Sequence, residues 1–296
     1  YKVASGGLEY EAAWALGSDT GVGDIDALTY ANFICNEQGM DPISFGATVA
    51  AAMELFEIGA ITTEHTGGIE LKFGSAEALC QIADLTGRGE GFGKDIGLGS
   101  KRLCEKYGHP DLAMVVKGQE FPAYDARGIQ GMGLAYATAN RGACHLRAYT
   151  VASEVLGIPV KTDPLDTAGK AELVKAFQDA TSVVDSSGLC VFTTFAWTLE
   201  DIQPQIAAAC EGDWSLDKLN EVGERIWNLE REFNLRAGLS KADDTLPPRL
   251  LKEGANTGPA EGKTVGLDAM LPEYYQVRGW TADGTLTDDL RQRLQL

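Results

Sequence analysis

The 296-residue chain carries 43 acidic against 25 basic side chains, a net charge of −18. That surplus repels nucleic-acid backbones and anionic lipid headgroups, and no window approaches the ~18 uninterrupted apolar residues of a membrane span. Neither nucleic acid nor a membrane is therefore expected as a partner. With 44% hydrophobic and 23% charged residues the composition is that of a globular protein, long enough for one large domain or two ordinary ones. No basic stretch followed by an apolar run marks a signal peptide. The six cysteines are scattered without a C-x-x-C pair, which reads as a reducing, cytoplasmic setting rather than a disulfide framework. The chain opens at Tyr1 within what reads as structured sequence, as expected of a piece of a longer protein, whereas the polar amphipathic end at Gln295-Leu296 reads as natural.

In chain order, helical patterns dominate. Glu9 and Glu11 precede an apolar stretch, Ala12 to Leu16, where a buried carboxylate would be poised as an acid or base; an exposed helix start with acidic residues in its first turn is the alternative. Asp24 to Cys35 places Ile25, Leu28, Ala31 and Cys35 on one helical face. Asp41-Pro42 reads as an N-cap followed by proline at the first helical position, starting a helix with Phe45, Val49, Ala52 and Phe56 on one side and Gly59 at its end. Helices follow at 75–85 and 101–107, then a strand or extended segment at 111–116. The spacing from Ala143 to Leu156 predicts a helix stopped by Gly157-Ile158-Pro159, and 169–183 predicts another. Thr198 and Asp201 form a capping-box pattern. Ser215 to Leu235 shows the strongest periodicity, with Leu216, Leu219, Val222, Ile226, Leu229 and Phe233 expected to face inward. Leu271 to Trp280 closes the series. Cys35, Cys80, Cys104 and Cys210 fall within helical patterns and are expected as small buried hydrophobes, and Cys144 as packing.

Several glycine-rich stretches carry little. Gly87 to Gly93 and Gly97 to Lys101 fit neither a dinucleotide fingerprint nor a P-loop and read as turns. No G-x-S-x-G elbow is present, and His65, His109 and His145 have no zinc-ligand spacing. The stretch Asn140-Arg141-Gly142-Ala143-Cys144-His145-Leu146-Arg147 is more informative. It combines an imidazole suited to proton transfer near neutral pH with guanidinium groups suited to phosphate. Read singly, His145 is more often a hydrogen-bonded structural histidine and Arg147 more often a surface ion pair.

Two segments match each other. Asn36-Glu37-Gln38-Gly39-Met40-Asp41 and Asp185-Ser186-Ser187-Gly188-Leu189-Cys190 share the order Asp/Asn-x-x-Gly-(Leu/Met)-(Asp/Cys). Each sets turn-forming polar side chains beside a glycine that permits close backbone approach, as two similar ligand halves would require. Together with Glu9-Tyr10-Glu11, the Arg141-to-Tyr149 stretch and the closing Glu273 to Trp280, these segments resemble, in order and rough spacing, the tungsten-containing aldehyde ferredoxin oxidoreductases. The resemblance spans essentially the whole chain and implies that family's second and third domains. The implied fold is mainly α, in two helical lobes at residues 1–115 and 116–296, without the N-terminal pterin-cradling domain. It further implies a parent enzyme that oxidises aldehydes to carboxylic acids on a tungsten bis-pterin (molybdopterin) centre and passes electrons through a [4Fe-4S] cluster to ferredoxin or a similar carrier. By the match Asn36, Gly39 and Asp41 would bind one pterin, and Asp185, Gly188 and Leu189 the other. Arg147 would lie near a pterin, Cys190 would be a cluster ligand, and Glu11 and His145 would move protons. Asn36 departs from the usual aspartate, and the run that supplies the other three cluster cysteines is absent from the chain. The fragment alone is therefore expected to be inactive and to retain neither cofactor. Tungsten against molybdenum and a homo-oligomer are left open. Alternatives are a sister tungstopterin reductase subunit of the aromatic acyl-thioester type and a non-catalytic helical scaffold.

Overall fold

The computed structural model describes residues 7–296 and divides them into two units, one running through Ala123 and the other Tyr124–Leu296. The opening residues 1–6, read from sequence as structured, lie outside the described residues. No helix among the described residues is long and apolar enough to cross a membrane.

In the first unit, local sequence sets each helix end. The Glu9 carboxylate accepts from the backbone N–H groups of Glu11 and Ala12 and starts α1 (Tyr10–Ala13), which passes directly into a π-helical turn at Trp14–Ser18. Asp24 caps α2 (Ile25–Gln38) and Asp41 caps α3 (Pro42–Glu57), which has proline at its first position. A short α4 (Thr63–Thr66) follows, then α5 (Ala76–Arg88) capped by Ser75, α6 (Gly93–Ile96) and α7 (Ser100–Lys106). Leu28, Cys35, Val49, Leu55, Leu79 and Ile82, from α2, α3 and α5, are fully or almost fully buried in one apolar core. The unit closes with a two-stranded antiparallel hairpin, β1 (Val115–Val116) and β2 (Gln119–Glu120), with Val115 opposite Glu120. The buried Glu120 carboxylate accepts from the Ser100 N–H at 2.8 Å and its hydroxyl at 2.9 Å, and so ties the hairpin to the start of α7.

In the second unit α8 (Gln130–Thr138) and α9 (Lys170–Ser187) are followed by α10 (Leu199–Ala209), α11 (Leu216–Arg236), α12 (Pro248–Lys252), α13 (Leu267–Arg278) and α14 (Asp288–Leu294). The central helix is α9, packed against α8, α11 and α13. The expected capping box at Thr198 and Asp201 is present.

Three expectations fail here. Residues 143–156 are not one helix: a 3-10 turn at Leu146–Ala148 is followed by a π-helical turn at Ala152–Leu156. Ala143, Cys144, Ala148, Val151 and Ala152 are all buried, so their spacing reflects enclosure from several sides rather than one helical face. On α11 the buried positions are Leu219, Gly223, Trp227, Asn228 and Arg231, whereas Leu229 and Phe233 are 57% and 71% exposed. The inward face is partly polar: Arg231 pairs with Asp244 at 2.7 Å and Asn228 accepts from the Trp280 indole at 2.7 Å. Hydrophobic periodicity cannot register such a face. Cys210 ends α10 and is exposed rather than packed, and Cys80 is only partly buried.

Candidate cofactor-binding site

The first loop is the junction of α2 and α3. Gly39 sits at φ +68° and ends α2 with its N–H on the Asn36 carbonyl, while the Met40 N–H reaches the Cys35 carbonyl at 2.8 Å. This is a glycine C-cap of the Schellman kind. A side chain at Gly39 would meet open space. Two residues on, Asp41 accepts at 3.3 Å from the N–H groups of Ile43 and Ser44, so a helix end and a helix start are joined by three residues, Gly39 to Asp41. Asn36, Gly39 and Asp41 are all exposed. Glu11 lies elsewhere in this unit, on α1, which packs against α3. Its side chain is buried, and Oε2 accepts from the Ala123 N–H at 2.8 Å. Of the two alternatives for Glu11, the buried carboxylate is the one realised.

The second loop, at the end of α9, shares the glycine turn of the first, but the Leu189 N–H turns to the Ser187 hydroxyl at 3.4 Å where Met40 reaches a helix carbonyl. Gly188 takes φ +77° and donates to the Asp185 carbonyl, again with open space where a side chain would be. Asp185, Gly188 and Cys190 are exposed and Leu189 is partly buried. The Cys190 carbonyl accepts from the Thr193 N–H and hydroxyl, starting a 3-10 turn at Val191–Phe195.

Arg147 is drawn to this loop. Its Nη1 lies 3.8 Å from the Asp185 carboxylate, and its Nη2 donates to both oxygens of Glu230 at 3.0 and 2.8 Å. The guanidinium lies 5.3 Å from the Trp227 ring centroid. Asn140 also donates to Glu230, at 3.1 Å. Beside them a hollow of about 300 Å³ is walled by Leu229 and Phe233 and edged by Arg141 and Arg147. Glu230 thus orients Arg147, a role that nothing on the charged α11 sequence marks out.

His145 lies among aromatic rings. Its centroid is 5.5 Å from Tyr124 and 6.1 Å from Tyr149, and the two tyrosine hydroxyls share a hydrogen bond of 2.8 Å. Tyr149 in turn packs edge-on at 5.7 Å against Phe195, in the turn that follows Cys190. Burial, and then the positive charge of Arg141, lower the His145 pKa to about 4, so the ring is a neutral imidazole near pH 7. Within the second unit the structure therefore gathers His145, Arg147, Asp185 and the Cys190 turn, and adds Tyr124, Tyr149 and Glu230. In the first unit it gathers Asn36, Gly39 and Asp41 at one helix junction.

Residues 1–296 match the family described as aldehyde ferredoxin oxidoreductase, domains 2 and 3. The chain belongs to the aldehyde ferredoxin oxidoreductase family. It is 47% identical over 291 residues to the tungsten-containing aldehyde ferredoxin oxidoreductase of Pyrococcus furiosus, covering 97% of this chain and 48% of that protein. It is 27% identical over 305 residues to the WOR-like subunit of an aliphatic sulfonate oxidoreductase from the same organism, covering 97% and 45%. The chain thus spans about half the length of the curated relatives it matches. The fold also matches a chain of the active-site complex BamBC of benzoyl coenzyme A reductase, with TM-score 0.78 at 18% identity over 98% of this chain and 49% of that one. That likeness establishes a shared fold. The mainly helical architecture expected for the C-terminal domains of aldehyde ferredoxin oxidoreductase is present, with one two-stranded sheet among the described residues.

Proposed function

We propose that this chain supplies the C-terminal half of an aldehyde oxidoreductase that works on a tungsten bis-pterin centre, delivering electrons through a [4Fe-4S] cluster to ferredoxin or a similar carrier. The observation that carries this reading is the matched pair of glycine-turned helix ends, one of them thiol-tipped, each presenting exposed polar groups and an open approach to the backbone. Such loops suit a flat, hydrogen-bonding ligand edge. Asn36, Gly39 and Asp41 would hold one pterin. Asp185, Gly188 and Leu189 would hold the other, with Arg147 beside them as a donor whose aim is set by Glu230.

Cys190 would supply one thiolate of the cluster. A [4Fe-4S] cluster generally takes four, and among the described residues no group of three or more His, Cys, Asp or Glu side chains could hold a metal. The donor set therefore fits one corner of a cluster, with the other ligands coming from outside this chain. When bound, the metal centre supplies two-electron redox chemistry and the cluster a one-electron exit. The overall change is aldehyde plus water to carboxylic acid, two protons and two electrons. Two groups of this chain would handle the protons: the buried Glu11 carboxylate as acceptor, and His145, a weak base with its pKa at about 4, holding a proton only in passing. The sister-reductase reading draws support from the shared fold with the benzoyl coenzyme A reductase complex, but the 47% identity to an aldehyde enzyme favours aldehyde oxidation.

The test uses the complete enzyme, with metal analysis alongside kinetics. Cys190→Ser should abolish the cluster's spectroscopic signal and ferredoxin-linked turnover, and full turnover in that variant would refute the assignment of Cys190. Glu11→Gln and His145→Asn should lower turnover by about 10²-fold or more while tungsten content holds. Equal loss of tungsten and activity would make both residues structural.

A further inference from the structure

In the first unit a hollow of about 460 Å³ opens between the start of α7 and the tip of the β1–β2 hairpin. Its volume lies within the range of small-molecule clefts, ~300–1,000 Å³. Lys101, Arg102 and Lys117 line it, with Glu105 as the one carboxylate and Leu98 as the apolar wall. Three cations to one acid reverses the balance of a chain with 43 acidic and 25 basic residues. Among the described residues Lys101 and Arg102 have no ion-pair partner, although Glu105 follows them on the same helix. Two uncommitted cations beside each other repel, and an anion between them removes that repulsion. Lys117 stands at the hairpin tip with φ +50°, a left-handed conformation that disfavours side chains and that Asn or Gly would adopt at lower cost. The strained lysine stands at the edge of the same hollow.

We propose that this hollow binds small phosphate esters. Arg102 presents a planar fork that matches two phosphate oxygens, and Lys101 and Lys117 add point charges. Glu105 accepts from a hydroxyl of the esterified group, and Leu98, 40% exposed, covers its carbon skeleton. A bare inorganic anion would use the cations alone. This site is independent of the redox reading.

Calorimetric titration of the complete native protein tests it, with ribose 5-phosphate, inorganic phosphate and sulfate as probes. Ribose 5-phosphate should bind saturably with Kd at or below about 1 mM in ~0.15 M salt, roughly tenfold or more tighter than sulfate. The double variant Lys101→Gln/Arg102→Gln should weaken that binding about tenfold or more with the melting temperature unchanged, because both side chains are exposed. Glu105→Gln should weaken the ester relative to inorganic phosphate, whose binding tightens when the neighbouring negative charge is removed. Three outcomes overturn the proposal: no saturable binding of any probe below roughly 10 mM, sulfate binding as tightly as the ester, which marks an adventitious ion only, or ester binding unaltered in the double variant.

Discussion

His145 shows how burial and a neighbouring charge set a residue's chemistry. Enclosed by Tyr124 and Tyr149 and facing Arg141, its imidazole resists protonation until about pH 4. In the unfolded chain the same group protonates near 6.5. Between those values the unfolded state binds more protons, so stability rises with pH and falls on acidification through that window. Chemical denaturation at pH 6.5 and pH 4 should show a loss on the order of 2 kcal/mol that His145→Asn removes from the difference. Unchanged pH dependence in the variant would mean the ring is not the group concerned. At this scale the candidate residues were legible because rare residue types stood in matched patterns: Gly39 with Asp41, Gly188 with Cys190, His145 with Arg147. Glu230 and Tyr149 were not singled out, because one acid on a charged helix carries no local pattern and Tyr149 stood only as the last residue of the stretch ending there. Only the fold brings them within reach of Arg147 and Tyr124.

At the scale of elements, helix ends were easier to read than helix faces. Asp41 and the Thr198–Asp201 box cap where they were expected, since capping depends on a few adjacent residues, and Asp24, Ser75 and Ser215 cap by the same chemistry. The inward side of α11 depends on what α9 and α13 present to it, and there Gly223, Asn228 and Arg231 displaced the expected leucine and phenylalanine. Gly223 marks the closest approach: a methyl group at that position would overlap the Asp179 carbonyl on α9. Neither backbone can yield without separating the two helices. Gly223→Ala should therefore destabilise the protein by roughly 2–4 kcal/mol, despite alanine's better helix propensity. Thermal unfolding measures this, and a melting temperature equal to or above the parent's would show that α9 and α11 are not so tightly apposed. Residues 143–156 teach the complementary lesson, that a segment buried on several sides imitates a helical stripe.

For the whole molecule the dominant physical quantity is its net charge of −18. Self-repulsion of this size opposes compaction and is screened by salt. Raising ionic strength from ~0.01 to ~0.15 M shortens the Debye length from ~30 to ~8 Å and should raise the melting temperature by roughly 2–5 °C; a fall would mean that attractive surface pairs outweigh repulsion. The family was legible because its motifs are spread over the entire length; the division was read at 115/116, and the two units part after Ala123. The wide turn at Trp14–Ser18 has a consequence for descent as well as for shape. It holds one residue more than a regular helix needs, and each helical residue advances about 100° around the axis. The widened turn takes up that advance, so excising one residue there would close it to an ordinary turn and leave the residues before it on nearly the same face. Glu11 would keep its niche and its bond from the Ala123 amide. A relative that lacks the extra residue can be expected to carry its acid at the corresponding place.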